Sequence, residues 1–264
     1  MIEPHIMEIS GVCKSFGGLQ ALGDISLQVM ARTIHGIIGP NGAGKTTLFN
    51  AITGLIAPDQ GRITVEGKAL PSGRPEALVP LGIARTFQNT RLFKSLSVLD
   101  NVLIGQHAHT KTPILSIILN GRTARQWERL ATEEAMAALC FVGLQDKAAE
   151  LVSNLSYGQQ RLVEFARALA AKPRILLLDE PAAGMNPTEK THLVALIAAV
   201  QQRDYTVVLI EHDMKLVMNI CRTISVLDHG KKIAEGPPEH VRRDPEVIRA
   251  YLGRSGGNAR TAGD

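Results

Sequence analysis

The run Gly39-Pro40-Asn41-Gly42-Ala43-Gly44-Lys45-Thr46 constrains this chain more than any other feature. It fits the pattern G-x-x-x-x-G-K-[ST] in full, and it lies between an apolar stretch, Ile34 to Ile38, and a segment that reads as a helix from Lys45 toward Thr53. Gly42 and Gly44 let the backbone bend so that successive N–H groups converge, and the helix N-terminus adds partial positive charge. A loop of this kind cradles phosphate. Gly39, Pro40, Asn41, Gly42, Ala43, Gly44, Lys45, Thr46 and Thr47 are therefore the candidate phosphate-binding residues. Lys45 supplies the point charge for β- and γ-phosphates, and Thr46 offers a hydroxyl to Mg²⁺, whose octahedral shell is otherwise filled by phosphate oxygens and waters.

A second constellation follows the buried-strand run Ile175-Leu176-Leu177-Leu178, which ends in Asp179-Glu180-Pro181. Two carboxylates at the carboxyl end of a strand stand where open α/β folds bind their ligands. Asp179 is the candidate Mg²⁺ ligand, and Glu180 is the candidate base that takes a proton from an attacking water. Alone, the pair reads more readily as a solvated strand end before a proline turn; the phosphate loop upstream reverses that preference.

The rest of the chain reads as alternating elements. Strands Ile6 to Val12 and Ile25 to Val29, turning at Gly17-Gly18, suggest an antiparallel β-lobe, and Gly61 to Val65 with a turn at Gly67 extends it. From Asn101 to Leu144 the pattern is mostly helical, broken at Pro113 and Asn120-Gly121. Helix Gln159 to Ala171, strand Ile175 to Leu178, helix Pro187 to Gln202, strand Thr206 to Ile210 and helix Lys215 to Cys221 then alternate. That order implies a parallel sheet covered on both faces. The tail from Ser255 is small and polar and is expected to be disordered.

Composition excludes several classes. Three scattered cysteines, Cys13, Cys140 and Cys221, with no Cys-x-x-Cys pair, argue against a disulfide framework and a structural zinc site. The N-terminus shows no basic segment leading into an apolar stretch, and the longest apolar run, Ala135 to Leu144, is far short of a membrane span. The expectation is a protein soluble by itself. A net charge of +4 comes without any dense Lys/Arg block or basic stripe with interleaved aromatics, so nucleic acid is not an expected partner.

Between the two phosphate-site motifs lies Leu155-Ser156-Tyr157-Gly158-Gln159-Gln160, followed by Arg161 and Ala166-Arg167-Ala168-Leu169. This resembles the signature of ABC ATPases, which stands just before their second nucleotide-site motif. Ser156 and Gly158 at a helix N-terminus provide a hydroxyl, backbone N–H groups and the helix dipole, with Gln159 beside them, to grip a γ-phosphate. Ser156 also reads as an ordinary N-cap ahead of an apolar face with Leu162, Phe165, Ala166 and Leu169, and the two readings are compatible. The resemblance further implies that the gripped phosphate belongs to a second ATPase subunit. Gln88 is similar to the family's glutamine that senses the γ-phosphate side through Mg²⁺ or the lytic water, and His212 to the histidine that bonds the γ-phosphate and attacking water. Phe16 stands where the family places a ring on adenine; read alone, it is a core phenylalanine.

The resemblance spans about residues 6–253 and implies an α/β fold of the P-loop NTPase, ABC ATPase type. Its parts are a parallel-sheet core, an antiparallel β-lobe and a helical subdomain at about 89–170, with 254–264 as a flexible tail. Two departures stand out: Tyr157 replaces the usual Gly, and Asn186 in Ala182-Ala183-Gly184-Met185-Asn186-Pro187 replaces the usual Asp. Both are similar to the ATPases of branched-chain amino-acid importers, as are Glu211-His212-Asp213-Met214 and the ending Asp244-Pro245-Glu246-Val247-Ile248-Arg249-Ala250-Tyr251-Leu252-Gly253. The segment from about Gln106 to Arg129 resembles the insertion such subunits carry.

That subgroup implies ATP and Mg²⁺, a second ATPase subunit in a homo- or heterodimer, two transmembrane permease subunits, a periplasmic solute-binding protein, and a place at the cytoplasmic face of a bacterial inner membrane. Importers of urea or amides use similar ATPases. A non-transport ABC protein acting on DNA or ribosomes would carry long coiled coil or two cassettes, and a P-loop kinase or GTPase would need an acceptor or guanine site; neither pattern is seen.

Overall fold

A computed structural model describes residues 5–86, 91–106 and 122–252. Gln88, the breaks at Pro113 and Asn120-Gly121, most of the 106–129 insertion and the tail from Ser255 lie outside these residues.

In chain order the elements begin with β1 (His5–Phe16), β2 (Leu19–Met30), β3 (Ile34–Ile38), α1 (Lys45–Ile52), β4 (Gln60–Val65) and β5 (Lys68–Ala69). Next come β6 (Ile83–Arg85), α2 (Val98–Ile104), α3 (Arg122–Phe141), α4 (Tyr157–Ala170), β7 (Ile175–Asp179) and α5 (Pro187–Gln201). The chain continues through β8 (Thr206–Ile210), α6 (Met214–Ile220), β9 (Thr223–Asp228), β10 (Lys231–Gly236), α7 (Pro238–Arg243) and α8 (Pro245–Leu252). No helix among the described residues is long and apolar enough to cross a membrane.

Two compact units result. Met1–Leu78 with Asp204–Asp264 forms one, and Val79–Arg203 the other. In the first, β2, β1, β4 and β5 make an antiparallel sheet in that order. Its β1–β2 turn is Gly17-Gly18, both at positive φ, the conformation a two-residue hairpin turn demands. The strands run further than their sequence pattern predicts, because register shifts along β1 break the strict alternation that marks a strand.

A second sheet in the same unit has the order β10, β9, β3, β8. Strand β3 pairs parallel with both β8 and β9, while β10 returns antiparallel from β9. All residues of β3 and β8 are buried, which is why they read as unbroken apolar runs. The β9–β10 hairpin, which the sequence reading leaves out, turns at His229-Gly230 with both φ values positive.

In Val79–Arg203, β6 pairs parallel with the fully buried β7. Helix α4 buries Leu162, Phe165, Ala166 and Leu169, as its periodicity predicts. Asn101 on α2 is buried; its Nδ2 donates to the carbonyls of Phe93 and Ser97, and its Oδ1 accepts from the Phe93 N–H.

One polar group sits inside β3. His35 is buried with Nε2 at 2.9 Å from Ser225 Oγ of β9. Burial pushes its pKa down from 6.5 to about 4; the Glu235 charge opposes this and the Lys232 charge adds to it. Below pH 6.5 the unfolded chain takes up a proton that the folded chain refuses until about pH 4. The stability this site gives is therefore complete above pH 6.5 and lost as pH falls toward 4. We expect denaturation midpoints to show a loss of about 1.5 kcal/mol between pH 6.5 and 5 that a His35→Gln variant lacks.

Candidate nucleotide-binding site

The phosphate loop joins β3 to α1, as its sequence context predicts. Its backbone is seated on neighbours too close to admit side chains: a Cβ at Gly39 would lie 2.1 Å from the Leu227 carbonyl oxygen, and one at Gly44 would lie 2.6 Å from that of Ala21. Gly44 is also left-handed at φ 97° and caps α1. Gly42, at φ 82°, faces open space. The loop is closed by Ala43 N–H donating to the Pro40 carbonyl at 3.1 Å, and tied to β9–β10 by Gly230 N–H donating to Ala43 at 3.1 Å.

Lys45 is buried, and its Nζ donates to the carbonyls of Gly39 at 2.7 Å and Pro40 at 2.9 Å. The ammonium is thereby held at the mouth of its own loop. Asn41, Gly42 and Thr46 are exposed.

His212 follows β8. Because Ile37 pairs with Ile210, the residues after β3 and after β8 leave the sheet at the same edge, which places His212 on the side of the phosphate loop. Its side chain is 60% exposed. Glu211, buried beside it, accepts the N–H groups of His212 at 3.1 Å and Asp213 at 3.4 Å and so shapes the turn. Phe16, at the tip of the β1–β2 hairpin, is 49% exposed, with Lys14 Nζ 5.5 Å from its ring centre. It is not the core residue that its sequence alone suggests, because the hairpin runs past the packed part of the sheet.

One side chain has a place here that the sequence did not indicate. The Tyr251 hydroxyl of α8 is buried near the Gly39 backbone and Asp228, and makes no hydrogen bond of normal geometry among the described residues. Burial pushes it up to about 12.

In the other unit, Asp179 ends β7, buried, with its Oδ2 accepting from Arg85 Nη2 at 2.7 Å. Arg85 stands 94 positions earlier on a three-residue strand, too short for its pattern to signal. Glu180 is half-buried and left-handed, at φ 45°. A non-glycine residue held there stores strain, which clusters at functional sites.

Ser156 is the N-cap of α4 within a complete capping box: its Oγ accepts from Gln159 N–H, and Gln159 Oε1 accepts from Ser156 N–H. The cap uses the oxygen as acceptor, so the hydroxyl proton stays available to an anion. Gly158 is buried against α5, where a Cβ would lie 2.2 Å from Glu189 Oε1. Glu189 is itself pinned by the capping box it forms with Asn186. Asn186, read above as a departure from the usual Asp, is thus the N-cap of α5.

Gly158→Ala should lose about 1–3 kcal/mol in chemical denaturation, since relief requires breaking the α5 cap. Adding Glu189→Ala to that variant should cost little more, so the pair should be clearly non-additive.

Comparison with known proteins sets these features in a wider frame. A family model described as ABC transporter matches residues 22–183, and one described as Branched-chain amino acid ATP-binding cassette transporter matches residues 231–256. A high-affinity branched-chain amino acid transport ATP-binding protein of Pseudomonas aeruginosa is 45% identical over 95% of this chain and 98% of its own length. Its counterpart in Escherichia coli K12 is 42% identical over 97% of this chain and 100% of its own. Among solved structures, the ADP conformation of an ATP-binding cassette of an ABC transporter superposes with a TM-score of 0.82 at 32% identity, covering 95% of this chain and 99% of that one. A nucleotide-free cassette gives 0.81 at 33% identity, with 94% and 99% covered.

Proposed function

The chain belongs to the ABC transporter family as an ATP-binding subunit whose ATPase activity is coupled to transport, and on that premise we propose that it powers a bacterial importer of branched-chain amino acids. Support for the solute class comes from the names of its near full-length relatives and from the family match at 231–256. The observation that carries the ATPase chemistry is the phosphate loop, with its glycine-only seat and buried Lys45.

In this reading Gly39 to Thr47 hold the phosphates of ATP, and Lys45 leaves its loop carbonyls for the β- and γ-phosphates. Phe16, exposed at its hairpin tip, offers a ring to the adenine. Glu180 accepts the proton of the attacking water, while His212 and Gln88 orient the γ-phosphate side. Mg²⁺ fits the donor chemistry: it takes few carboxylates together with phosphate oxygens, and Thr46 and Asp179 are a hydroxyl and a carboxylate of that kind, with Gln88 as a further oxygen. Such an ion would neutralise charge on the transferred phosphoryl group.

Ser156, Gly158 and Gln159 face a nucleotide held by a second ATPase subunit, so hydrolysis needs a dimer, homo- or heteromeric. Its partners are two transmembrane permease subunits and, through them, a periplasmic solute-binding protein. The chain then works at the cytoplasmic face of the inner membrane.

Glu180→Gln should retain ATP binding and slow kcat by about 10²- to 10⁴-fold, and an unchanged kcat would remove Glu180 from the mechanism. Lys45→Ala should weaken ATP binding by at least about tenfold in a calorimetric titration. A dimer carrying one Ser156→Arg subunit should lose a single site, and uptake by the reconstituted transporter of leucine, isoleucine and valine, measured against urea and amides, tests the solute.

A further inference from the structure

Tyr157 enters the sequence reading only as a missing glycine. In the structure it begins a line of polar side chains along α4: Tyr157, Arg161, Glu164 and Arg167. Steps of four, three and three residues keep all four on one side of the helix over about 15 Å. Each step is joined. Arg161 Nε donates to the Tyr157 hydroxyl at 3.0 Å, and its guanidinium stands 5.3 Å from the ring centre. Arg161 Nη1 lies 3.4 Å from one Glu164 oxygen and Arg167 Nη2 lies 3.6 Å from the other. Arg167 Nη1 then donates to the Arg91 carbonyl at 2.6 Å.

Glu164 is 2% exposed and Arg161 5%. A carboxylate and two guanidiniums withdrawn from water recover their desolvation cost only in fixed geometry, and apolar side chains would pack such a face as well or better. A network of this kind is better suited to fixing register than to adding stability.

Each end of the line is attached to something particular. At one end, Tyr157 sits between Ser156 and Gly158, its ring so close to Gly184 that a Cβ there would lie 2.8 Å from Cε1. At the other, Arg91 opens the segment to Ser97, which the buried Asn101 holds at Phe93 and Ser97 and which exposes Phe93 and Leu96. Helix α2 is seated at the same place, since a Cβ at Gly105 would lie 2.2 Å from the Arg167 carbonyl.

We propose that Tyr157, Arg161, Glu164 and Arg167 are positioning residues that hold the N-terminus of α4 and the Arg91–Ser97 segment in one register, so that a change at the signature is felt at Phe93 and Leu96. Because linkage is reciprocal, a constraint on Phe93 and Leu96 alters the signature equally. The proposal rests on the phosphate-gripping role of Ser156 and Gly158 for its catalytic consequence, but not for its structural one.

Amide hydrogen exchange on the full chain separates the two. Tyr157→Phe keeps the ring on Gly184 and removes only the hydroxyl, so exchange at the bonded amides of Phe93 and Leu96 should speed by about threefold or more. Glu164→Gln should have a larger effect, and the double variant should match Glu164→Gln alone. Arg167→Lys, which keeps charge but shortens the fork, should reproduce the Glu164→Gln pattern if that variant folds poorly. In steady-state assays kcat should fall while ATP affinity stays unchanged. Exchange changes confined to residues 156–162 in Tyr157→Phe, or strictly additive effects, would overturn the line. Accelerated exchange at 91–97 without any ATPase activity in the wild type would uphold it and refute the functional reading instead.

Discussion

A loop that must aim several consecutive N–H groups at one anion has no room for side chains on its inner wall, and this constraint organises the first unit. Gly39 lies against the Leu227 carbonyl and Gly44 against that of Ala21, so β9 and β2 are both placed by the need to close on the loop. The β9–β10 turn repeats the arrangement, with a Cβ at Gly230 only 2.7 Å from the Ala21 carbonyl oxygen. The antiparallel lobe is therefore not an appendage to the parallel sheet. It packs directly against the loop between β3 and α1, and its hairpin carries Phe16 beyond that contact. Lys45, bonded to two carbonyls of the loop, keeps a buried ammonium satisfied until a stronger acceptor arrives.

The acidic pair is built on a different principle. Asp179 and Glu180 are neighbours in sequence but not in environment: the first is buried and paired with Arg85, the second is half-buried on a strained, left-handed backbone. The arginine fixes the aspartate carboxylate in one orientation, as a charge-assisted hydrogen bond does best. Positive φ turns the glutamate away from the strand direction that Asp179 follows. Two adjacent carboxylates thus stand in unlike surroundings, one fixed by an ion pair and one set on strained backbone.

What the sequence made legible divides along the same physical line. Strands β3 and β8 were read to the residue, because five fully buried positions bounded by turn residues leave a signal no bulge can blur. The phosphate loop and the α4 cap were legible because each is a local pattern whose partners lie within a few residues. The length of β1 and β2 was not, since pairing there continues through irregular register. Strand β6 and the Arg85–Asp179 pair were not, because a three-residue strand has no periodicity and the pair spans 94 positions. Tyr251 could be found as part of a family-like ending, yet nothing local says that its hydroxyl is buried near Gly39.

The signature shows how one local rule can serve two ends. A serine N-cap satisfies the free N–H groups of a helix, and the same geometry makes an anion site, so stability alone would preserve Ser156 and Gln159. The cap by itself does not account for Gly158 or Tyr157. Gly158 is required by the close approach of Glu189, which ties the α4 cap to the α5 cap formed by Asn186. Tyr157 spans from Gly184, just before that second cap, to Arg161 and the buried charges beyond it. The loss of a flexible glycine at the third signature position is thus matched by a gain in connection: the helix terminus that carries Ser156 is braced on one side by a second capped helix and on the other by an ion-pair line leading away from it.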